Sequence, residues 1–179
     1  MPENNHELQE DVPTVASDCH LPEDFTLVVL AGGASSRMGK EKSDLILDGQ
    51  TFLETQIRKG RQLGAKKILI SGYRGELCSE EIVPDRIPGQ GPLGGLESCF
   101  RKAETAKCLV LGVDTPLVPV EELRSLLKYT MEEADKPVTM LCHNGKEESL
   151  MAVYDAGLYK EITDFLESGR SSVYRFLNT

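Results

Sequence analysis

From Phe25 onward the chain alternates short apolar runs with amphipathic stretches: Phe25 to Leu30, Phe52 to Leu63, Ile68 to Ser71, Leu96 to Ala103, and Cys108 to Val113. That alternation is the pattern of βαβ units, whose crossovers make the strands parallel. Phe25-Thr26-Leu27-Val28-Val29-Leu30 and Leu109-Val110-Leu111-Gly112-Val113 are continuous rather than alternating runs, as expected of central strands covered by helices on both faces. Farther on, Leu123, Leu126 and Leu127 form one apolar face of a helix that begins after Pro119. Val138 to Leu141 and Leu150 to Tyr154 read as two more strands, joined as a hairpin at Asn144-Gly145, where both residues tolerate positive φ. Leu158 to Leu166 forms a last helix, which Gly169 terminates. The expectation is an α/β three-layer sandwich around a mainly parallel central sheet.

Residues 1–24 break the pattern: they are polar and acidic, carry Pro2, Pro13 and Pro22, and read as a flexible leader ahead of a single domain over 25–179. They lack the basic start and apolar stretch of a secretory signal, and no apolar run approaches the ~20 residues of a bilayer span, so the expected compartment is the cytoplasm, with no membrane partner. The net charge of −9 argues against a nucleic-acid surface, because such surfaces neutralise phosphates with Lys and Arg. It leaves room for a small anionic ligand held by a few local donors. The cysteines (Cys19, Cys78, Cys99, Cys108 and Cys142) are scattered and never in C-x-x-C pairs, so reduced thiols are expected rather than disulfides or a zinc knuckle.

Ligands of open parallel sheets bind beyond the carboxyl ends of the strands. After the first strand comes Ala31-Gly32-Gly33-Ala34-Ser35-Ser36-Arg37-Met38-Gly39-Lys40-Glu41-Lys42, which combines three glycines with Arg37, Lys40 and Lys42. A phosphate chain needs closely approachable backbone N–H groups and balancing cations, and this loop supplies both. It is not a Walker A loop, since five residues separate Gly33 from Gly39 and Glu41 follows Lys40, and no G-x-G-x-x-G is present. After the second strand comes Ser71-Gly72-Tyr73-Arg74, and after the strand ending at Val113 comes Asp114-Thr115-Pro116. Taken alone, Asp114 reads equally as a helix N-cap or as a Mg²⁺ ligand; beside a phosphate loop the metal role is favoured. Asp85 precedes a second glycine-rich stretch, Gly89-Gln90-Gly91-Pro92-Leu93-Gly94-Gly95, expected as a turn leading into the helix at Leu96. His143 beside Cys142 is read as an ordinary loop histidine, since adjacent strand side chains face opposite ways.

Leu30-Ala31-Gly32-Gly33 with Arg37-Met38-Gly39 and Lys42 resembles the signature of the molybdenum cofactor guanylyltransferases, the MobA-like NTP transferases. Gly91-Pro92-Leu93-Gly94-Gly95 and Asp114-Thr115-Pro116 resemble the family's next two motifs, in order, and weaker similarities at Gly145 to Tyr154 and Ser168-Gly169-Arg170-Ser171 extend coverage to the end. The resemblance implies a Rossmann-like nucleotidyltransferase fold and transfer of GMP from GTP to molybdopterin with release of pyrophosphate and Mg²⁺ as cofactor. It implies that Leu30, Ala31, Gly32 and Gly33 lie on the nucleotide, that Ser71 and Asp85 contact it, and that Arg37, Lys42 and Asp114 form the catalytic set, Asp114 as metal ligand. Cofactor-delivery or molybdoenzyme partners follow from the same resemblance. A CTP-dependent or sugar-phosphate transferase and a non-catalytic nucleotide or cofactor binder are the alternatives. Ser71 stands where the family usually has asparagine, Ser149 where members often have proline in the loop facing the pterin, and Asn178-Thr179 is not the family's metal-completing Asn-x-Asn-Thr-Pro-like segment. Nucleotide binding is therefore expected to exceed turnover.

Overall fold

The computed structural model describes residues 24–32, 41–75, 80–133 and 135–179. Of the leader expected over residues 1–24 only Asp24 falls among them, and Gly33 and Arg37 lie outside them. In chain order the first half contains β1 (Phe25–Leu30), the two-residue strands β2 (Ile46–Leu47) and β3 (Gln50–Thr51), α1 (Phe52–Leu63), β4 (Lys67–Ser71), β5 (Glu81–Val83) and α2 (Gly91–Lys102). The second half contains β6 (Lys107–Gly112), α3 (Val120–Glu132), β7 (Val138–His143), β8 (Lys146–Asp155), α4 (Tyr159–Glu167) and α5 (Val173–Leu177). None of the helices among the described residues is long and apolar enough to cross a membrane.

Six strands form one sheet in the order β5-β4-β1-β6-β8-β7. β5, β4, β1 and β6 run parallel, and β8 runs antiparallel to both β6 and β7. The apolar run of β1 places it centrally, as expected: every one of its residues is buried. Phe25, Leu27 and Val29 pack against α1 and α3 through Leu53, Ile57, Leu123 and Leu127, whereas Val28 and Leu30 pack on the other face with Leu96, Phe100, Ile162 and Phe165 of α2 and α4. Each such aliphatic or aromatic side chain contributes roughly 1.5–3 kcal/mol when fully buried, so the central strands anchor both outer layers.

α1 starts at a capping box, in which Thr51 Oγ1 accepts from the Glu54 amide and Glu54 Oε2 accepts from the Thr51 amide. The expected hairpin forms at Asn144-Gly145, with φ of 51° and 74°, though β8 starts at Lys146 rather than Leu150 and its pairing with β7 shifts between Met140 and Leu141. A larger correction concerns α2, which begins at Gly91 rather than at Leu96. Pro92 suits the first turn of a helix, where no intrahelical donor is needed, so Gly91 to Gly95 form helix and not a connecting turn. Cys99 and Cys108 are unbridged core thiols, and burial pushes the Cys99 thiol up to about 12.

Candidate functional site

Backbone contact between two glycines closes the gap between the ends of β1 and β4. A Cβ on Gly32 would stand 3.0 Å from Gly72 Cα, and one on Gly72 would collide with the Gly32 backbone. Gly72 has φ +75°, which also disfavours any other residue. This approach lets the Ser71 carbonyl accept from both the Ala31 amide, at 2.9 Å, and the Gly32 amide, at 3.2 Å. Leu30 and Ala31 are buried and Gly32 is exposed.

Ser71 is buried and its Oγ donates to Asp85 Oδ1 at 3.1 Å. The N-terminal half of α2 packs onto this pair: a Cβ on Gly95 would collide with Ser71 Oγ, so the glycine there serves close helix–strand approach. The structure thus brings Ser71, Asp85 and the second glycine-rich stretch together at the β4 end of the sheet.

On the other side of β1, the ladder to β6 continues one residue past the strands, with the Val113 amide donating to Leu30 O at 3.1 Å. Asp114 follows immediately, and its carboxylate folds back toward Gly112, where a Cβ would stand 2.9 Å from Asp114 Oδ1. Lys42, at the start of a 3-10 turn that ends at Asp44, donates from Nζ to Asp114 Oδ2 at 2.9 Å, with both side chains about half exposed. Lys42 and Asp114 are 72 positions apart in the chain, and Asp114 lies two residues past the carboxyl end of β6. Asp114 is not a helix cap, because α3 starts six residues later, at Val120, with Pro119 in the capping position.

Two residues that sequence reading passed over hold the Asp114 turn from below. Gln56 is fully buried, and its Nε2 donates to Gly112 O at 2.7 Å and to Thr115 O at 3.1 Å. Lys59, 5% exposed, donates from Nζ to Pro116 O at 2.7 Å. Burial, with a smaller contribution from the neighbouring Arg58, lowers the Lys59 ammonium to about 8. A signal existed in the sequence: Gln56 interrupts the apolar stripe Leu53, Ile57, Gly60, Leu63 of α1, and a polar residue on a buried stripe needs a partner. Among the described residues no group of three or more His, Cys, Asp or Glu side chains converges on one point, and the carboxylate paired with Lys42 is that of Asp114.

With this geometry in place, residues 27–179 match the family described as the MobA-like NTP transferase domain. A Carboxydothermus hydrogenoformans protein named "Probable molybdenum cofactor guanylyltransferase" is 32% identical over 155 residues, covering 86% of this chain and 77% of that protein. The crystal structure of molybdopterin-guanine dinucleotide biosynthesis protein A from Archaeoglobus fulgidus superposes with a TM-score of 0.69 at 22% identity, covering 86% of this chain and 78% of the other. The 2-C-methyl-D-erythritol 4-phosphate cytidylyltransferase of Thermus thermophilus shares the fold at a TM-score of 0.60 and 13% identity, covering 84% of this chain and 82% of the other. Fold likeness therefore extends to an enzyme named for a cytidylyl transfer and does not select the base.

Proposed function

Because the chain belongs to the MobA-like NTP transferase family, we propose that it transfers GMP from GTP to the molybdopterin form of the molybdenum cofactor and releases pyrophosphate. The name of the Carboxydothermus relative supports the substrate pair. The observation that carries the reading is the Lys42–Asp114 pair, which joins the phosphate-loop cation to the carboxylate of the neighbouring central strand at one end of the sheet.

The Lys42 ammonium, 2.9 Å from Asp114 Oδ2, stands in for a cation and fits this carboxylate to hold one. A site with one protein carboxylate suits Mg²⁺, which keeps several waters and takes its remaining ligands from phosphate oxygens. Bound there, the ion would neutralise charge developing on the leaving pyrophosphate. Lys42, released from Asp114, and Arg37 would balance the triphosphate, which is an electrostatic task with little covalent chemistry for the protein. No side-chain base is required, since the second pKa of a phosphate monoester lies near 6 and the acceptor is already anionic at neutral pH. One of its oxygens forms the new bond to the α-phosphorus of GTP in line with the breaking bond to the β-phosphate bridge, and pyrophosphate leaves. On the base side, the Ala31 and Gly32 amides are taken up by Ser71 O, so the backbone groups these two residues have for a ligand are carbonyls. The Watson–Crick edge of guanine offers two N–H donor groups to such acceptors, whereas that of cytosine offers one.

The test supplies the purified protein with Mg²⁺, molybdopterin and either GTP or CTP and follows pyrophosphate. Release with GTP in clear preference to CTP is expected. Preference for CTP would move the chain to the cytidylyl reading, and tight GTP binding without pyrophosphate to the non-catalytic one.

A further inference from the structure

We propose that Gln56 and Lys59 of α1 are positioning residues that preset Asp114 for its metal ion by pinning the backbone on both sides of it. The inference rests on the function proposed above and assigns a role to two side chains that do not touch substrate.

Three carbonyls of the turn receive these donors: Gly112 O and Thr115 O from Gln56, and Pro116 O from Lys59. Asp114 lies between the pinned points. Among the described residues the turn's other backbone bonds are the Val113 amide to Leu30 O, the Thr115 hydroxyl to Gly112 O at 2.9 Å, and two long contacts, the Thr115 amide to Gly112 O at 3.4 Å and the Val118 amide to Thr115 O at 3.5 Å. No helix begins at Asp114 to rigidify it.

The pair is also poorly explained as packing. Leu53, Ile57 and Leu63 show what the α1 layer accommodates, and an apolar residue at either position would avoid the desolvation of an amide or an ammonium. Gln56 Oε1 is buried with no hydrogen-bond partner among the described residues, so the amide places its donor half on the turn while its acceptor half goes unpaired there. Lys59 has a neutral carbonyl, not a carboxylate, as its bonded partner. Buried groups that stabilise a fold are paired to saturation, whereas these two converge on a single loop, the one that carries Asp114.

The experiment measures GTP binding by calorimetry with and without Mg²⁺ for the parent, Gln56→Leu, Lys59→Met, Lys59→Gln and Asp114→Asn, with a thermal melt of each. The expected result is that Gln56→Leu and Lys59→Met each lose about 10-fold or more of the Mg²⁺-dependent tightening, the scale typical of residues that orient a metal ligand, while metal-free GTP affinity stays within about 2-fold. Lys59→Gln, which keeps a neutral donor, recovers most of the coupling. If Gln56→Leu melts below the assay temperature, the two Lys59 variants decide. Should Asp114→Asn abolish the tightening while Gln56→Leu and Lys59→Met retain it, the positioning role is overturned and the proposed function stands. Should the parent show no Mg²⁺-dependent tightening at all, the metal reading falls and takes this inference with it.

Discussion

The two faces of the sheet each bury a charged side chain, and they treat it in opposite ways. On the α2 and α4 face, Glu97 is 1% exposed and surrounded by donors: Arg101 Nη2 at 2.7 Å, Thr163 Oγ1 at 2.9 Å and Arg86 Nε at 3.2 Å. Burial alone would push the Glu97 carboxyl up, but the bonds from Arg101 and Thr163 and the charges of both arginines outweigh it and hold it below its ordinary value. On the α1 and α3 face, Lys59 is nearly as buried, has no opposite charge bonded to it among the described residues, and falls to about 8. Glu97 ties α2 to α4 and is compensated where it stands. Lys59 is left uncompensated and spends its bond on the turn that carries Asp114. Compensation marks a charge that serves the architecture, and its lack marks one that the site has claimed.

The largest expected effect tests the first half of that contrast. Glu97→Ala removes the shared acceptor and leaves a small cavity, and since the arginines are about half exposed and can rehydrate, the loss is about 2–3 kcal/mol, or a fall in Tm of roughly 5–10 °C. GTP affinity of the folded variant should be unchanged in calorimetry. A drop in affinity without a drop in Tm would reverse the assignment of Glu97 to the fold.

A smaller effect sharpens the contrast at the site itself. The Lys42–Asp114 pair is half exposed, and such pairs contribute little to stability. Lys42→Ala should move Tm by no more than about 1–2 °C, yet weaken GTP about 10-fold while leaving guanosine within about 2-fold, because the lost contact is to phosphate. Equal losses for nucleotide and nucleoside would place Lys42 elsewhere.

The smallest effect is a pH dependence. The unfolded chain keeps the Lys59 proton to about pH 10.5, while the folded chain releases it near 8. Between those values the unfolded state binds more protons, so this group adds stability as pH rises through the window, and its full penalty is present below about 8. In denaturant melts the stability of the parent relative to Lys59→Met should therefore rise by on the order of 1 kcal/mol from pH 8 to 10.5, with Lys59→Met at no disadvantage at pH 7. A difference that stays constant across the window would mean that Lys59 titrates normally and is not uncompensated.

Much of the layering was legible because hydrophobic periodicity is a local property. The unbroken apolar run of Phe25 to Leu30 can only be covered on both faces, and Asn144-Gly145 can only turn tightly where positive φ is free. Gly91 to Gly95 read as a turn that either admits substrate to the backbone or joins strand to helix, whereas these residues open α2. What the fold uses at Gly95 is the missing Cβ that admits Ser71 Oγ, a requirement set by a strand 24 positions earlier in the chain. The motifs at Lys42 and Asp114 were readable as chemistry at strand ends, since the rule that ligands gather there follows from parallel topology. Their direct pairing across 72 positions, the Gly32–Gly72 backbone contact and the roles of Gln56 and Lys59 were not readable in that way. The sequence by itself determined the central strands, the apolar faces of the main helices and which strand-end loops combine glycine with cationic residues, because those depend on spacing and residue type. Only the tertiary structure decided which of those loops touch and which buried polar groups go without a charge partner, because desolvation depends on what the rest of the chain brings within a few ångströms.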